Sequence, residues 1–137
     1  MTRILAVDFG EKRIGLATGD TGGGLATPRR TISRSSDDDA VQEIGRFCRE
    51  EQIDALLVGI PRSPEGVESA IAPRIRSFAE KLARAAVLPL HFHEETLTSD
   101  EAARRLSGRR SRAGLDAAAA AVLLEDWLAH RGRETTA

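Results

Sequence analysis

Three acidic residues stand at points where a carboxylate needs a role. Asp8 follows directly on the apolar run Ile4-Leu5-Ala6-Val7. An acid there is costly to bury unless it is paired or holds a cation. Glu94 and Glu95 close a stretch in which apolar and polar residues alternate, and Asp116 opens an alanine-rich apolar segment. Side chains alternate along a strand, so only one of the adjacent glutamates shares a face with His91 and His93, and that one is Glu95. Asp8, Glu95 and Asp116 together make three oxygen donors, the set that hard cations such as Mg²⁺ or Mn²⁺ take. Simpler readings exist for each: a turn aspartate, an exposed strand end, an acid in a helix's first turn. His91, His93 and Glu95 also spell H-x-H-x-E, a zinc-type donor set, beside the plainer reading of histidines on a half-exposed strand.

Between Glu95 and Asp116 lies a basic cluster: Arg104, Arg105, Arg109, Arg110 and Arg112, with no acid from Ala102 to Leu115. Arginine clamps phosphate through two parallel hydrogen bonds. A basic loop beside metal-binding carboxylates is what holds a polyanion against an acidic centre. The alternative is a solvated loop in an arginine-biased composition, since Lys12 and Lys81 are the only lysines among 20 basic residues. The stretch GDTGGG lacks the spacing of a phosphate-binding loop and reads as a turn.

The elements that must position these residues can be read from periodicity. Arg3–Asp8 and Arg13–Thr18 form two strands joined by a turn too short for anything but an antiparallel hairpin. Leu25–Ser33 reads as a third strand, at an edge because it contains Pro28. Ser35 and Ser36 followed by Asp37, Asp38 and Asp39 open a helix whose apolar stripe is Val41, Ile44, Phe47 and Cys48. Cys48 is thereby a core residue. Asp54–Ile60 is a buried strand and PRSPEG a loop. Val67, Ile71, Ile75, Phe78 and Leu82 keep helical spacing. Val87–His93 is a fifth strand, and Thr98 with Glu101 caps a short helix to Leu106. Arg109–Gly114 is a loop, and Leu115–His130 is the last helix. The order predicts an α/β fold: a mixed five-stranded sheet, antiparallel over its first three strands and then parallel, with helices on both faces. Ligands in such sheets bind at the carboxyl ends of parallel strands, where Asp8 and Glu95 fall.

Composition narrows the function classes. The 137 residues make one domain, read as residues 1–130 with a flexible tail over 131–137. The net charge of −1 excludes a globally basic nucleic-acid glue. One cysteine excludes a disulfide framework. Four Phe, one Trp and no Tyr are too few for a stacking platform. No apolar run approaches a membrane span, and the first ten residues do not compose a secretory leader. The expectation is a cytoplasmic protein without membrane contact.

Four segments, LAVDFGEKRIGLATGD, LLVGIPRSPEG, HEETLTSDEA and GLDAAAAAVLLEDWL, occur in an order and spacing that resemble the YqgF family, also called RuvX. The resemblance runs from about Ile4 to Leu128. The family is described both as Holliday-junction resolvases and as nucleases maturing pre-16S ribosomal RNA, and it has the RNase H-like fold. Asp8 matches its first-strand catalytic aspartate, Glu95 the glutamate of its D-E-R segment, and Asp116 the aspartate opening its last helix. Gly10, Lys12 and Gly15 match the first hairpin, and Gly59, Pro61 and Gly66 the second loop. Thr96 stands where the family has Arg, and Ser63 where it has Asn.

The resemblance implies metal-assisted phosphodiester hydrolysis at a two-metal site of Mg²⁺ or Mn²⁺, bridged by Asp8 and flanked by Glu95 and Asp116. Lys12, Arg13 and the arginine cluster would hold neighbouring phosphates. The implied partner is an RNA precursor or branched DNA, and the protein a monomer or weak homodimer. Two rivals stand beside this reading. One is a non-catalytic nucleic-acid-binding module on the same fold. The other is a phosphotransferase relative, which would need a second such domain around its nucleotide.

Overall fold

Arg3–Phe9 (β1) is buried along almost its whole length because both of its faces are covered. The computed structural model describes residues 1–96 and 113–135. In that range β1 is followed by Arg13–Asp20 (β2), Ala26–Ser33 (β3), Asp37–Glu50 (α1), Ala55–Arg62 (β4), Ala72–Ala86 (α2), Leu90–Thr96 (β5) and Ala113–Thr135 (α3). The strands form one sheet in the order β3-β2-β1-β4-β5. β1 and β2 are antiparallel, as are β2 and β3, whereas β4 is parallel to both β1 and β5. The mixed sheet with helices on both faces is as the sequence predicts.

Alternation divides the two cores. Leu5, Val7, Phe9, Ile14, Leu16, Leu56, Val58 and Ile60 pack under α1 and α2, which contribute Ile44, Phe47, Ile75, Phe78 and Leu82. The opposite face presents Ile4, Ala6, Ala17, Ala55 and Leu57 to α3, whose Ala120, Ala121, Leu123, Leu124 and Trp127 close that side. Cys48 lies in the first core, and burial pushes its thiol up to about 11, which suits an inert side chain. The two outer helices are tied by Asp37, which accepts from both terminal nitrogens of Arg74 at 2.8 and 2.7 Å. The Arg74 guanidinium holds the Asp37 carboxyl below the usual carboxylate range.

β3 is the exposed edge, and the register shifts by one residue between Leu16 and Ala17, so the strand bulges next to Pro28. Ser36 caps α1 by accepting from the Asp39 amide.

Element ends differ from the expectation at several points. β4 continues through Pro61 and Arg62, which pair with Glu95 and Thr96. Val67 is not helical: it sits 65% exposed in a turn where its amide donates to Ser63 Oγ and Gly66 takes φ +85°. α2 starts at Ala72 with Pro73 in its first turn, where a missing N–H is harmless. β5 starts at Leu90 because Val87 is used to end α2, in the left-handed conformation at φ 56°. Ala113 and Gly114 already belong to α3, which runs on to Thr135. The helix expected over Thr98–Leu106 lies outside the described residues.

A β-branched residue in the left-handed region crowds its own carbonyl, at roughly 1–2 kcal/mol. Val87 is also 84% exposed, so its side chain gains little by burial. Val87→Gly is therefore expected to stabilise the fold by about 1 kcal/mol, after the added freedom of the unfolded chain is subtracted. Urea unfolding checks this, and a stability equal to or below that of the parent would contradict it.

Candidate active site

Asp8 lies on the α3 face of β1, in step with Ile4 and Ala6, and is 6% exposed. Its antiparallel partner in β2 is Gly15. On the other side, Val7 pairs with Val58, so Gly59 of β4 comes alongside Asp8. Both neighbours on the carboxylate's own face are thus glycines. The family resemblance matches these glycines to a hairpin and a loop; the structure shows what their missing side chains make room for.

At Gly15 the room is taken by α3. A Cβ there would fall 1.9 Å from the Asp116 carbonyl oxygen and 2.8 Å from the Ala117 nitrogen. The first turn of α3 therefore rests directly on the β2 backbone, opposite Asp8. At Gly59 the room is taken by Glu95. A Cβ there would fall 2.3 Å from Glu95 Oε1 and 3.2 Å from the Leu123 side chain. Glu95 leaves β5 opposite Pro61 and reaches back across β4 toward β1. Glu95 Oε1 and Asp116 Oδ2 are buried, and Asp116 as a residue is 6% exposed.

The structure thus brings Asp8, Glu95 and Asp116 to one end of the sheet beside the amino end of α3: Glu95 Oε1 lies over Gly59 and the Asp116 backbone over Gly15, the two strand neighbours of Asp8. Like charges brought together away from water repel, and a divalent cation offsets that repulsion. The donors are all carboxylate oxygens, which fits Mg²⁺ or Mn²⁺. The gap at Gly59 leaves the Glu95 carboxylate against bare backbone, and a donor set made of carboxylate oxygens fits a hard ion. The positive end of the α3 dipole faces the same region.

The hairpin turn carries two of the predicted basic residues to this end. Lys12 is exposed and Arg13 opens β2. The turn is tight: a Cβ at Gly10 would fall 2.5 Å from the Arg13 carbonyl oxygen. Arg34 braces it, with its amide donating to Lys12 O at 2.9 Å and its Nε to Glu11 O at 2.8 Å. Glu94 points to the other face and forms an ion pair with Arg62. Arg62, in the stretch PRSPEG that the sequence predicts as a loop, is the register partner of Thr96 and so stands at the same end of the sheet. Arg104, Arg105, Arg109, Arg110 and Arg112 lie outside the described residues. The H-x-H-x-E set separates: the His91 ring packs 5.3 Å from Trp127, while His93 Nε2 lies 2.7 Å from Asp126 Oδ2.

The family model described as RuvX, Holliday junction resolvase, matches residues 2–130. A protein of Nitratidesulfovibrio vulgaris (strain DP4) is 39% identical over 132 residues, covering 93% of each chain. One of Dechloromonas aromatica (strain RCB) is 42% identical over 132 residues, covering 93% of this chain and 90% of its own. Each is named as a proposed pre-16S rRNA nuclease. Among solved structures, T. thermophilus RuvC in complex with a Holliday junction substrate superposes with a TM-score of 0.60, covering 96% of both chains at 14% identity. A second structure of Thermus thermophilus RuvC superposes with a TM-score of 0.55 at 16% identity, covering 95% of this chain and 96% of its own. At such identities the likeness establishes the fold, RNase H-like.

The two glycines make different predictions. The obstacle at Gly15 is helix backbone, which cannot move aside, so Gly15→Ala should cost about 3 kcal/mol. At Gly59 the nearest atom is the tip of a side chain, so Gly59→Ala should cost about 1 kcal/mol yet weaken Mn²⁺ binding by roughly tenfold. Urea unfolding and Mn²⁺ titration separate them. Equal stability losses, or unchanged Mn²⁺ affinity in Gly59→Ala, would contradict this geometry.

Proposed function

Because this chain belongs to the RuvX family of Holliday junction resolvases and is a nuclease hydrolysing phosphodiester bonds, we propose that Asp8, Glu95 and Asp116 are its catalytic carboxylates and hold Mg²⁺ or Mn²⁺. The observation that carries this is the packing of Glu95 Oε1 over Gly59 and of the Asp116 backbone over Gly15, the two strand neighbours of Asp8. When bound, the ions supply a Lewis acid for the phosphate and a water acidified enough to attack it.

The chain's own residues do the positioning. Asp8 is fixed by the central strand, flanked on both sides by paired backbone, and cannot swing away. Glu95 enters from β5 and Asp116 from the end of α3, so the three approach from different elements and enclose the scissile phosphate between sheet and helix. Lys12 and Arg13, held by the braced turn, meet a neighbouring phosphate. Arg104, Arg105, Arg109, Arg110 and Arg112, between Glu95 and Asp116 in sequence, take further phosphates along the strand. Arg62, opposite Thr96, supplies a guanidinium near the place where the family's D-E-R arginine is missing here.

The proposed substrate is the 5′ end of precursor 16S ribosomal RNA, in the cytoplasm. The names of relatives 39–42% identical over nearly their whole length favour it. Branched DNA is the second reading, favoured by the description of the family model. Cutting an RNA end needs one site and so a monomer, whereas resolving a four-way junction needs two sites and so at least a weak homodimer.

The test is cleavage of a labelled pre-16S fragment, plain single-stranded RNA and a four-way DNA junction, with Mg²⁺, Mn²⁺ or EDTA. Metal-dependent cutting of the pre-16S fragment is expected, with Asp8→Asn slower by about a thousandfold or more while binding persists. Equal cutting by Asp8→Asn would overturn the carboxylate assignment. Salt-sensitive binding without any metal-dependent product would instead favour the non-catalytic module, and cutting of the junction alone would move the substrate to branched DNA.

A further inference from the structure

Two residues before Glu95, on the same face of β5, His93 turns toward α3. Its Nε2 lies 2.7 Å from Asp126 Oδ2, and its ring lies 5.2 Å from that of His130, edge to face. Asp126 and His130 are four residues apart on α3 and therefore share one helix face. His130 Nδ1 is 3.7 Å from Asp126 Oδ1 and 2.9 Å from the Asp126 carbonyl oxygen. One donor atom from each of the three residues lies within 4.8 Å of the other two.

We propose that His93, Asp126 and His130 form a second metal site, selective for a borderline transition-metal ion such as Zn²⁺ and separate from the carboxylate centre. Two imidazoles and one carboxylate are the donor set of Zn²⁺, Co²⁺ and Ni²⁺, and a poor one for Mg²⁺. The site is open to entry: the side chains of Asp126 and His130 are 54% and 51% exposed, while His93, at 14%, forms its floor. Water completes the fourth position. The proton accounting is simple. His93 gives its Nε2 lone pair to the ion and keeps its proton on Nδ1. His130 binds through Nδ1 with its proton on Nε2, exchanging its contact with the Asp126 carbonyl for the metal bond.

The site has a structural consequence. It joins β5, which carries Glu95, to α3, which carries Asp116, so an ion here would fasten together two of the three elements around the carboxylate centre. His91, its ring tilted against that of Trp127, packs the same seam two residues earlier on the same face of β5. The donor set stands on its own contacts and does not depend on the nuclease reading.

The experiment uses the full chain without a histidine tag, carrying Asp8→Asn to weaken the carboxylate centre. Zn²⁺ is titrated calorimetrically, and Co²⁺ is followed by its visible absorption. The expected result is one bound equivalent whose affinity falls by roughly tenfold or more in His130→Ala and in Asp126→Asn, with the Co²⁺ band lost. Both replaced residues are exposed, and circular dichroism verifies that the variants fold. Absence of Zn²⁺ binding, or binding unchanged by both substitutions, would overturn the proposal. An equivalent that survives both substitutions and disappears with Glu95→Gln would place the ion at the carboxylate centre and would also overturn it.

Discussion

The close approach of α3 to the sheet is the constraint on which the rest depends. A helix usually stands about 10 Å from a sheet, held off by side chains. Here the first turn of α3 occupies the volume of a missing Cβ at Gly15. That contact sets the Asp116 backbone against Gly15, the strand partner of Asp8. A second missing Cβ, at Gly59, lets Glu95 reach across β4 from the neighbouring strand. Without these two gaps the three carboxylates would stand on separate elements with side chains between them.

The rest of the molecule is consistent with that constraint. Around Asp8 the sheet face under α3 carries Ala6, Ala17, Gly15 and Gly59, with Ile4 and Leu57 further along, where the opposite face carries leucine, isoleucine, valine and phenylalanine throughout. α3 itself is rich in alanine on its inner side. Small residues on both surfaces let helix and sheet come close; large ones under α1 and α2 supply most of the apolar burial that stabilises the fold. The two faces thus divide the work. One is a thick core that fixes β1 rigidly. The other is a thin seam that places charge near charge, a destabilising arrangement that the first core can offset.

Much of this was legible in the residues. The buried run before Asp8, the short hairpin and the alternation that sets Glu95 rather than Glu94 on the site face follow from local rules, and the structure agrees with each. The edge placement of β3 followed from Pro28. The misplacements have physical causes. Val87 has the composition of a strand residue, but α2 needed an αL terminator at that point. Val67 fits the helical period, yet the Ser63–Gly66 turn holds it outside. Pairing of His93 with Asp126 rather than with His91 and Glu95 was not readable, because alternation names a face and not the partner packed on it. The role of Gly15 and Gly59 was hidden for the same reason: a glycine in a strand does not say what fills its gap.

The central claim is that the three carboxylates form one metal centre. Anomalous X-ray diffraction from crystals soaked in Mn²⁺ tests it most directly. Mn²⁺ peaks are expected about 2.1 Å from carboxylate oxygens of Asp8, Glu95 and Asp116. Peaks confined to other residues, with these three carboxylates contacting no ion, would contradict it.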